Sequence, residues 1–280
     1  MKVAVTGAAG FVGRHVLGAL ASQDVEVVAV DIRGPEDPAQ VSGVRYIKMD
    51  IAGADTEAFK TMGTPDVLIH LAWKGLPNYK SLHHFETELP AQYRFLRSMI
   101  EGGLKSLLVT GTCYEYGMQS GQLSEDTETR PSNPYAFAKD ALRKQLEYLQ
   151  STRAFNLTWA RLFFMYGAGQ SPNSLLPQLK NAVEQGEKVF NMSGGEQLRD
   201  YLPIEEVARR IVFLALKQQG LGVVNVCSGQ PVSVRKLVEG WVTQNSWNIN
   251  LNYGHYPYPD YEPMAFWGDT AKYRAVEVNK

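Results

Sequence analysis

Six short apolar runs restrict the fold of this chain more than any other feature: "KVAVT" (2–6), "VEVVAV" (25–30), "VRYIKM" (44–49), "DVLIHLA" (66–72), "SLLVT" (106–110) and "NLTWARL" (156–162). Most are nearly continuous in Val, Ile and Leu, whereas a strand with one face in water alternates apolar and polar residues. Continuous runs suit strands covered on both faces, which is the condition of a parallel sheet. Helical periodicity separates several of them, at 12–21, 82–100 and 134–150. This strand-helix-strand repetition predicts an α/β fold built on a doubly wound parallel sheet, with ligands bound beyond the carboxyl ends of the strands.

The texture changes after Arg161. "YGAGQSPNS" (166–174) and "NMSGGEQLRDY" (191–201) are loop-like, helical patterns cover 175–185, 204–217 and 234–243, and Val223 to Val226 reads as a strand. The tail "YGHYPYPDYEPMAFWGD" (253–269) is rich in proline and aromatic residues and is expected to be irregular. We expect residues 1–166 with 199–230 to form the main domain. Residues 167–198 with 231–280 are then a small C-terminal α/β lobe for substrate, since specificity resides in such insertions.

Composition removes several function classes. With 28 Lys+Arg against 29 Asp+Glu the net charge is −1, so neither a nucleic-acid stripe nor a polybasic membrane surface is indicated. Residues 211–216 form the longest later apolar stretch, too short to span a bilayer, and no secretory signal follows Met1. Cys113 and Cys227 lie far apart without metal-ligand spacing, as in a reduced, cytoplasmic protein. No metal site is expected, and the pair His83-His84 reads as a helix surface.

"TGAAGFVG", Thr6 to Gly13, closes the first strand and opens the first helix. There Gly7 permits a tight turn, Gly10 lets the backbone approach a pyrophosphate, and Gly13 allows close helix-strand packing. The helix start at Phe11 and Val12 supplies free N–H groups and partial positive charge. Asp31 ends the second strand 24 residues after Gly7, where a carboxylate accepts from adenosine ribose hydroxyls. It also repels a 2′-phosphate, which favours NAD(H); Arg33, beyond Ile32, offsets that in part and leaves NADP(H) possible. Together these mark a Rossmann-type dinucleotide domain. In "NPYAFAK" (133–139), Asn133 is a good N-cap and Pro134 a good first residue, so Tyr135 and Lys139 share one helix face a turn apart.

With these motifs the chain resembles the extended short-chain dehydrogenase/reductases that act on nucleoside-diphosphate sugars. The spacing TGxxGxxG is their form of the loop. "MDI" (49–51) is similar to the segment that contacts adenine, here Asp50 and Ile51, and "HLAW" (70–73) looks like the segment along the cofactor, giving Leu71, Ala72 and Trp73. "TGTCYEYG" (110–117) resembles the catalytic hydroxyl segment, with Thr110 beside the cofactor and Thr112 on the reacting sugar oxygen. The resemblance implies Tyr135 as general acid or base, with Lys139 favouring the phenolate and holding the nicotinamide ribose. A phenol otherwise ionises near pH 10, and bringing that to 7 takes roughly 4 kcal/mol. "RDY" places Arg199 on the substrate diphosphate, a salt bridge to Asp200 being the alternative. Phe190 either stacks on the base or packs in a core. Trp73, Cys113, Tyr114 and Phe164 complete the expected substrate residues, and a homodimer is implied through helices at 82–100 and 134–150, with Phe95 and Met99 in its seam.

The chain departs from that pattern in places. Sugar-nucleotide 4,6-dehydratases carry Thr-Asp-Glu where this chain has Thr112, Cys113 and Tyr114, so the acids for elimination are missing. Phe164 and Glu88 stand where asparagines are common, and "YPYPDYEP" (256–263) lacks an expected arginine. Three functions remain open: a reductase of a nucleotide-linked 4-keto-6-deoxyhexose, a 4-epimerase with tightly held NAD+, and a non-catalytic dinucleotide sensor.

Overall fold

The structure is a computed structural model that describes residues 1–33, 43–54 and 56–278. Seven strands form one parallel sheet: β1 (Lys2–Thr6), β2 (Glu26–Asp31), β3 (Val44–Lys48), β4 (Val67–His70), β5 (Ser106–Thr112), β6 (Asn156–Leu162) and β7 (Gly222–Val226). Their order is β7-β6-β5-β4-β1-β2-β3, so the chain reverses direction across the sheet between β1 and β4. Such a reversal opens a crevice at the carboxyl ends of those two strands, where the glycine loop emerges.

Residues alternate between two buried layers. Val3 and Val5 join a cluster with helices α1 (Phe11–Leu20) and α5 (Ile204–Leu216). Ala4, Val28 and Leu68 face a second cluster under α2 (Leu89–Glu101) and α3 (Pro134–Gln150). Each such leucine or valine contributes roughly 1.5–3 kcal/mol by leaving water. Phe95 and Met99 belong to this second layer, 1% and 0% exposed, so they face the sheet and are not seam residues. The expected helix over 82–100 is broken: His84–Glu88 is a wide π turn, and α2 proper starts at Leu89. Pro90 explains the widening, because its ring would strike the carbonyl of residue 86 in a regular α turn.

A separate core gathers Leu176, Leu179, Phe190, Val238 and Trp241 from α4 (Leu175–Glu184), the strand Val189–Asn191 and α6 (Val234–Gln244). The tail is more ordered than its composition suggests. Phe266–Gly268 pairs in parallel with Gly121–Leu123, and a closing helix, Ala271–Val278, sets Tyr273 into the core beside α5 and β7. Asp200, fully buried, joins three distant segments: it accepts from Ser228 N (2.6 Å), Ser228 Oγ (2.7 Å), Gly229 N (2.9 Å) and Gly268 N (3.3 Å).

Candidate active site

The glycine loop has the shape expected of a phosphate cradle. Gly7 has φ +70, and a Cβ there would stand 2.8 Å from Ala72 N; one on Gly13 would be 2.2 Å from Gly7 O. Gly10 caps α1 without any side-chain bond, which leaves the first N–H groups directed at the groove. One arm of this groove is lined by Gly7, Gly10, Asp31, Ile32, Arg33, Ile51, Leu71, Ala72 and Trp73. Asp31 is held by Ala9 N (3.0 Å) and by Arg33 N (3.0 Å) and Nε (3.3 Å), so the guanidinium turns back onto the carboxylate. Asp50 sits at the rim, where it accepts from Ala52 N and pairs with Lys74 at 2.9 Å. That hydrogen bond to Lys74 is the main reason its carboxyl ionises below the usual value.

The second arm of the groove is lined by Phe11, Val12, Gly13, Thr110, Thr112, Cys113, Tyr114, Tyr135, Lys139 and Phe164, again with Trp73 at the junction. Asn133 caps α3 by accepting from Ala136 N at 2.9 Å, which sets Tyr135 in the first turn and Lys139 one turn on. Lys139 is 2% exposed; its Nζ donates to Thr110 O at 2.9 Å and lies 4.1 Å from the centre of the Trp73 ring. Burial pushes its amine down to about 7, against opposing fields from Glu115 and Glu88. Burial likewise raises the Tyr135 phenol, aided by Tyr79, Glu115 and Cys113, with a hydrogen bond from Thr112 acting weakly the other way. Without a bound nicotinamide, burial thus works against the phenolate that the resemblance implies. A phenol whose ionisation is raised, placed beside this groove, is equipped to donate a proton to a carbonyl oxygen.

Glu115 fixes Thr112. Its carboxylate accepts from Thr112 N (2.8 Å), Trp159 Nε1 (3.0 Å) and Arg161 Nε (2.9 Å). Cys113 and Tyr114 occupy the next two positions, and burial raises both ionisations far above neutrality. Phe164 lies edge-on to Tyr114, with ring centres 6.0 Å apart. Phe190 is elsewhere: it is 7% exposed in the small-lobe core, and its edge lines a groove with Asn181, Asn191 and Tyr256. Arg199 is also set back from the cleft lining. Its partner is Glu262, at 2.8 Å from Nε and 2.7 Å from Nη2, and not Asp200.

Several neighbours take part in ways that the sequence does not reveal. His84 is buried, not a helix surface: it accepts from Trp73 Nε1 at 3.1 Å and meets Asn78 O through Nε2 at 2.8 Å, so its proton is on Nε2. It therefore orients the indole that covers Lys139. His70, fully buried between Thr6 Oγ1 (2.8 Å) and Gln92 Oε1 (2.7 Å), has its pKa lowered to about 3, by burial first and Lys139 second. Gln92 and Glu88 continue this chain to Ala72 O and Lys74 N, and so tie the loop bearing Trp73 to α2. Tyr79 packs on Tyr135 and Tyr114, with ring centres 5.5 and 5.3 Å away. Among the described residues, no cluster of metal-ligating side chains exists, and no helix is long and apolar enough to cross a membrane.

A Rossmann-type sheet whose dinucleotide crevice runs into a Tyr and Lys spaced by one helical turn defines an oxidoreductase of the short-chain dehydrogenase type. The chain belongs to the NAD dependent epimerase/dehydratase family, whose model matches residues 3–227. It is 30% identical over 270 residues to dTDP-6-deoxy-L-talose 4-dehydrogenase (NAD(+)) of Aggregatibacter actinomycetemcomitans, covering 96% of this chain and 99% of that one. UDP-glucose 4-epimerase of Halalkalibacterium halodurans is 25% identical, over 85% of this chain and 79% of the epimerase. Among solved structures, MoeE5 in complex with UDP-glucose and NAD superposes with a TM-score of 0.83 at 28% identity, covering 99% and 92% of the two chains. A UDP-N-acetylglucosamine 4-epimerase from Methanobrevibacter ruminantium M1 shares the fold at a TM-score of 0.87 and 23% identity, over 98% and 91%.

Proposed function

We propose that the protein reduces C4 of a nucleoside-diphosphate 4-keto-6-deoxyhexose with NADH, or with NADPH at lower preference. The observation that carries this reading is that Tyr135 and Thr112 line one cleft with Cys113 and Tyr114, and that among its described lining residues none is a carboxylate. Reduction needs a proton donor at the sugar oxygen, which Tyr135 supplies; elimination needs an added acid and base, which those positions lack. The hydride would come from the reduced nicotinamide held in the groove. Thr112 and Tyr135 hold the C4 oxygen, Tyr135 gives it the proton, and Lys139 orients the nicotinamide ribose. Asp31 would accept from the adenosine ribose, the free N–H groups of α1 would hold the pyrophosphate, and Asp50, Ile51 and Thr110 would border the cofactor. Trp73, Phe164 and Tyr114 shape the sugar pocket, Arg199 meets the diphosphate, and Phe190 borders the base.

The 30% identity to a 4-dehydrogenase over 96% and 99% of the two chains supports this over the epimerase reading, for which the identity is 25%. We assign substrate choice to the small lobe, 167–198 with 231–265, leaving 266–278 with the main domain that it packs on. We also place the protein in the cytoplasm, where Cys113 and Cys227 stay free thiols, and as a homodimer through α2 and α3. Phe137 and Tyr148 on the outer side of α3 are 51% and 78% exposed and offer the seam. Light scattering at the 31.2 kDa monomer mass would refute the dimer. The activity is tested by offering dTDP-, GDP-, CDP- and UDP-linked 4-keto-6-deoxyhexoses in turn and following the reduced-nicotinamide absorbance. Stoichiometric loss with one of them supports the reductase. Interconversion of two hexose epimers at constant absorbance would assign an epimerase instead.

A further inference from the structure

The guanidinium that the substrate diphosphate would seek is already matched by a carboxylate of the tail. Glu262 sits 9% exposed, with Oε2 on Arg199 Nε and Nη2 at 2.8 and 2.7 Å. Its Oε1 accepts from the Tyr114 hydroxyl at 2.8 Å. Arg199 Nη1 is spent on Leu198 O (2.8 Å) and Met264 O (3.4 Å), so the side of the fork facing Tyr114 is the side that Glu262 holds. Tyr114 lines the cleft and Arg199 lies behind it. Among the described residues lining this arm of the groove, Lys139 is the only cation, and it is committed to Thr110 O and the Trp73 face.

We propose that Glu262 is a resident stand-in for the diphosphate: it occupies Arg199 in the free enzyme and is exchanged for the incoming nucleotide's phosphates. The inference rests on the nucleotide-sugar reading of the site. Removing a carboxylate from a buried arginine is costly because the cation is left without a partner. Replacement by a phosphate avoids that cost, since a diphosphate offers the same fork more acceptors and more charge. The segment that must yield is lightly held. Residues 254–260 are exposed, and Lys80 with Asp260 at 3.4 Å is an exposed pair of the weak kind. Tyr261, against Tyr79 and Tyr114, moves with Glu262. Selection follows from the exchange: a ligand with no strong anion at this position cannot displace the carboxylate, and it binds only outside the closed clasp.

The test is calorimetric binding of dTDP, UDP, GDP and CDP to the NAD-loaded protein, its Glu262→Gln variant and its Tyr114→Phe variant. Loss of the competing carboxylate should tighten the preferred nucleotide at least about fivefold in Glu262→Gln. Tyr114→Phe keeps the ion pair but frees Oε1, and should tighten it by a smaller factor. Amide exchange across 255–262 should quicken when that nucleotide is added to the parent. Equal or weaker binding by folded Glu262→Gln overturns the exchange. Should that variant not fold, unaltered affinity in Tyr114→Phe with unaltered amide exchange overturns it equally. Binding of none of the four nucleotides to any of the proteins overturns the nucleotide-sugar reading itself.

Discussion

Glu115→Gln should cost more stability than any other conservative change near the site. The parent carboxylate is 0% exposed and Arg161 is 1% exposed, with Nη2 to Oε2 at 2.8 Å. Arg161 Nη1 already lacks a hydrogen bond, and the Tyr116 ring 4.3 Å from the guanidinium carbon offers only its face. Glutamine preserves the outline and one acceptor, which Thr112 N and Trp159 Nε1 keep using. Its amide nitrogen, however, must face the guanidinium, donor against donor. Breaking a buried ion pair from one side costs about 3–5 kcal/mol. For a chain of this size each kcal/mol lowers Tm by roughly 2–4 °C, so a fall on the order of 10 °C is expected. Thermal unfolding followed by circular dichroism measures it. Glu115→Gln combined with Arg161→Met should recover more than half of the loss, because the stranded charge is then gone. A single-variant fall below about 3 °C, or a double variant no more stable than the single, would refute the account.

Tyr135→Phe should leave NAD(H) affinity nearly unchanged while kcat falls at least about a hundredfold; turnover within about threefold of the parent would remove Tyr135 as the acid. Asp31→Asn should raise NADP(H) affinity relative to NAD(H), because it both removes a carboxylate from the 2′ side and frees Arg33; a parent that already prefers NADPH in calorimetry contradicts this. Lys139 should make stability depend on pH. Its folded pKa, about 7, lies below the ordinary 10.5, so between these values the unfolded chain holds more protons and stability rises with pH. Lys139→Met should lose that slope in urea titrations run across the window, and an unchanged slope would show that the amine is not desolvated.

The sheet was legible because most of its strands are nearly continuous in apolar residues, as burial on both faces requires. The edge strand Val44–Lys48, with Arg45 and Lys48, is the exception. The glycine loop, Asp31, Thr112, Tyr135 and Lys139 were legible because spacing along one strand or helix fixes where such residues point. His84 and Glu262 were not. Their roles depend on contacts made across 11 residues to Trp73 and 63 residues to Arg199, which no local pattern encodes. The break at His84–Glu88 was hidden for a different reason: apolar periodicity continues through it, and only Pro90 marks the wider turn. Packing of 266–278 on the main domain escaped notice because a proline-rich approach masks a three-residue strand.

Asp200 bears on how a ligand can get in. Its carboxylate pins the strand Leu198–Pro203 to the turn after β7 and to Phe266–Gly268 at once, wholly out of water. These segments lie on the main-domain side of three of the crossings into the small lobe, and prising them apart would strip a buried charge of its donors, a penalty of several kcal/mol. The joint therefore behaves as a weld and not as a hinge. Opening falls to the two rims, near 74–83 and 254–262, which touch through Tyr79 with Tyr261 and Lys80 with Asp260. Entry and release then resemble the parting of a seam in a rigid vessel, and their rates should respond to residues of that seam far more than to changes at the Asp200 junction.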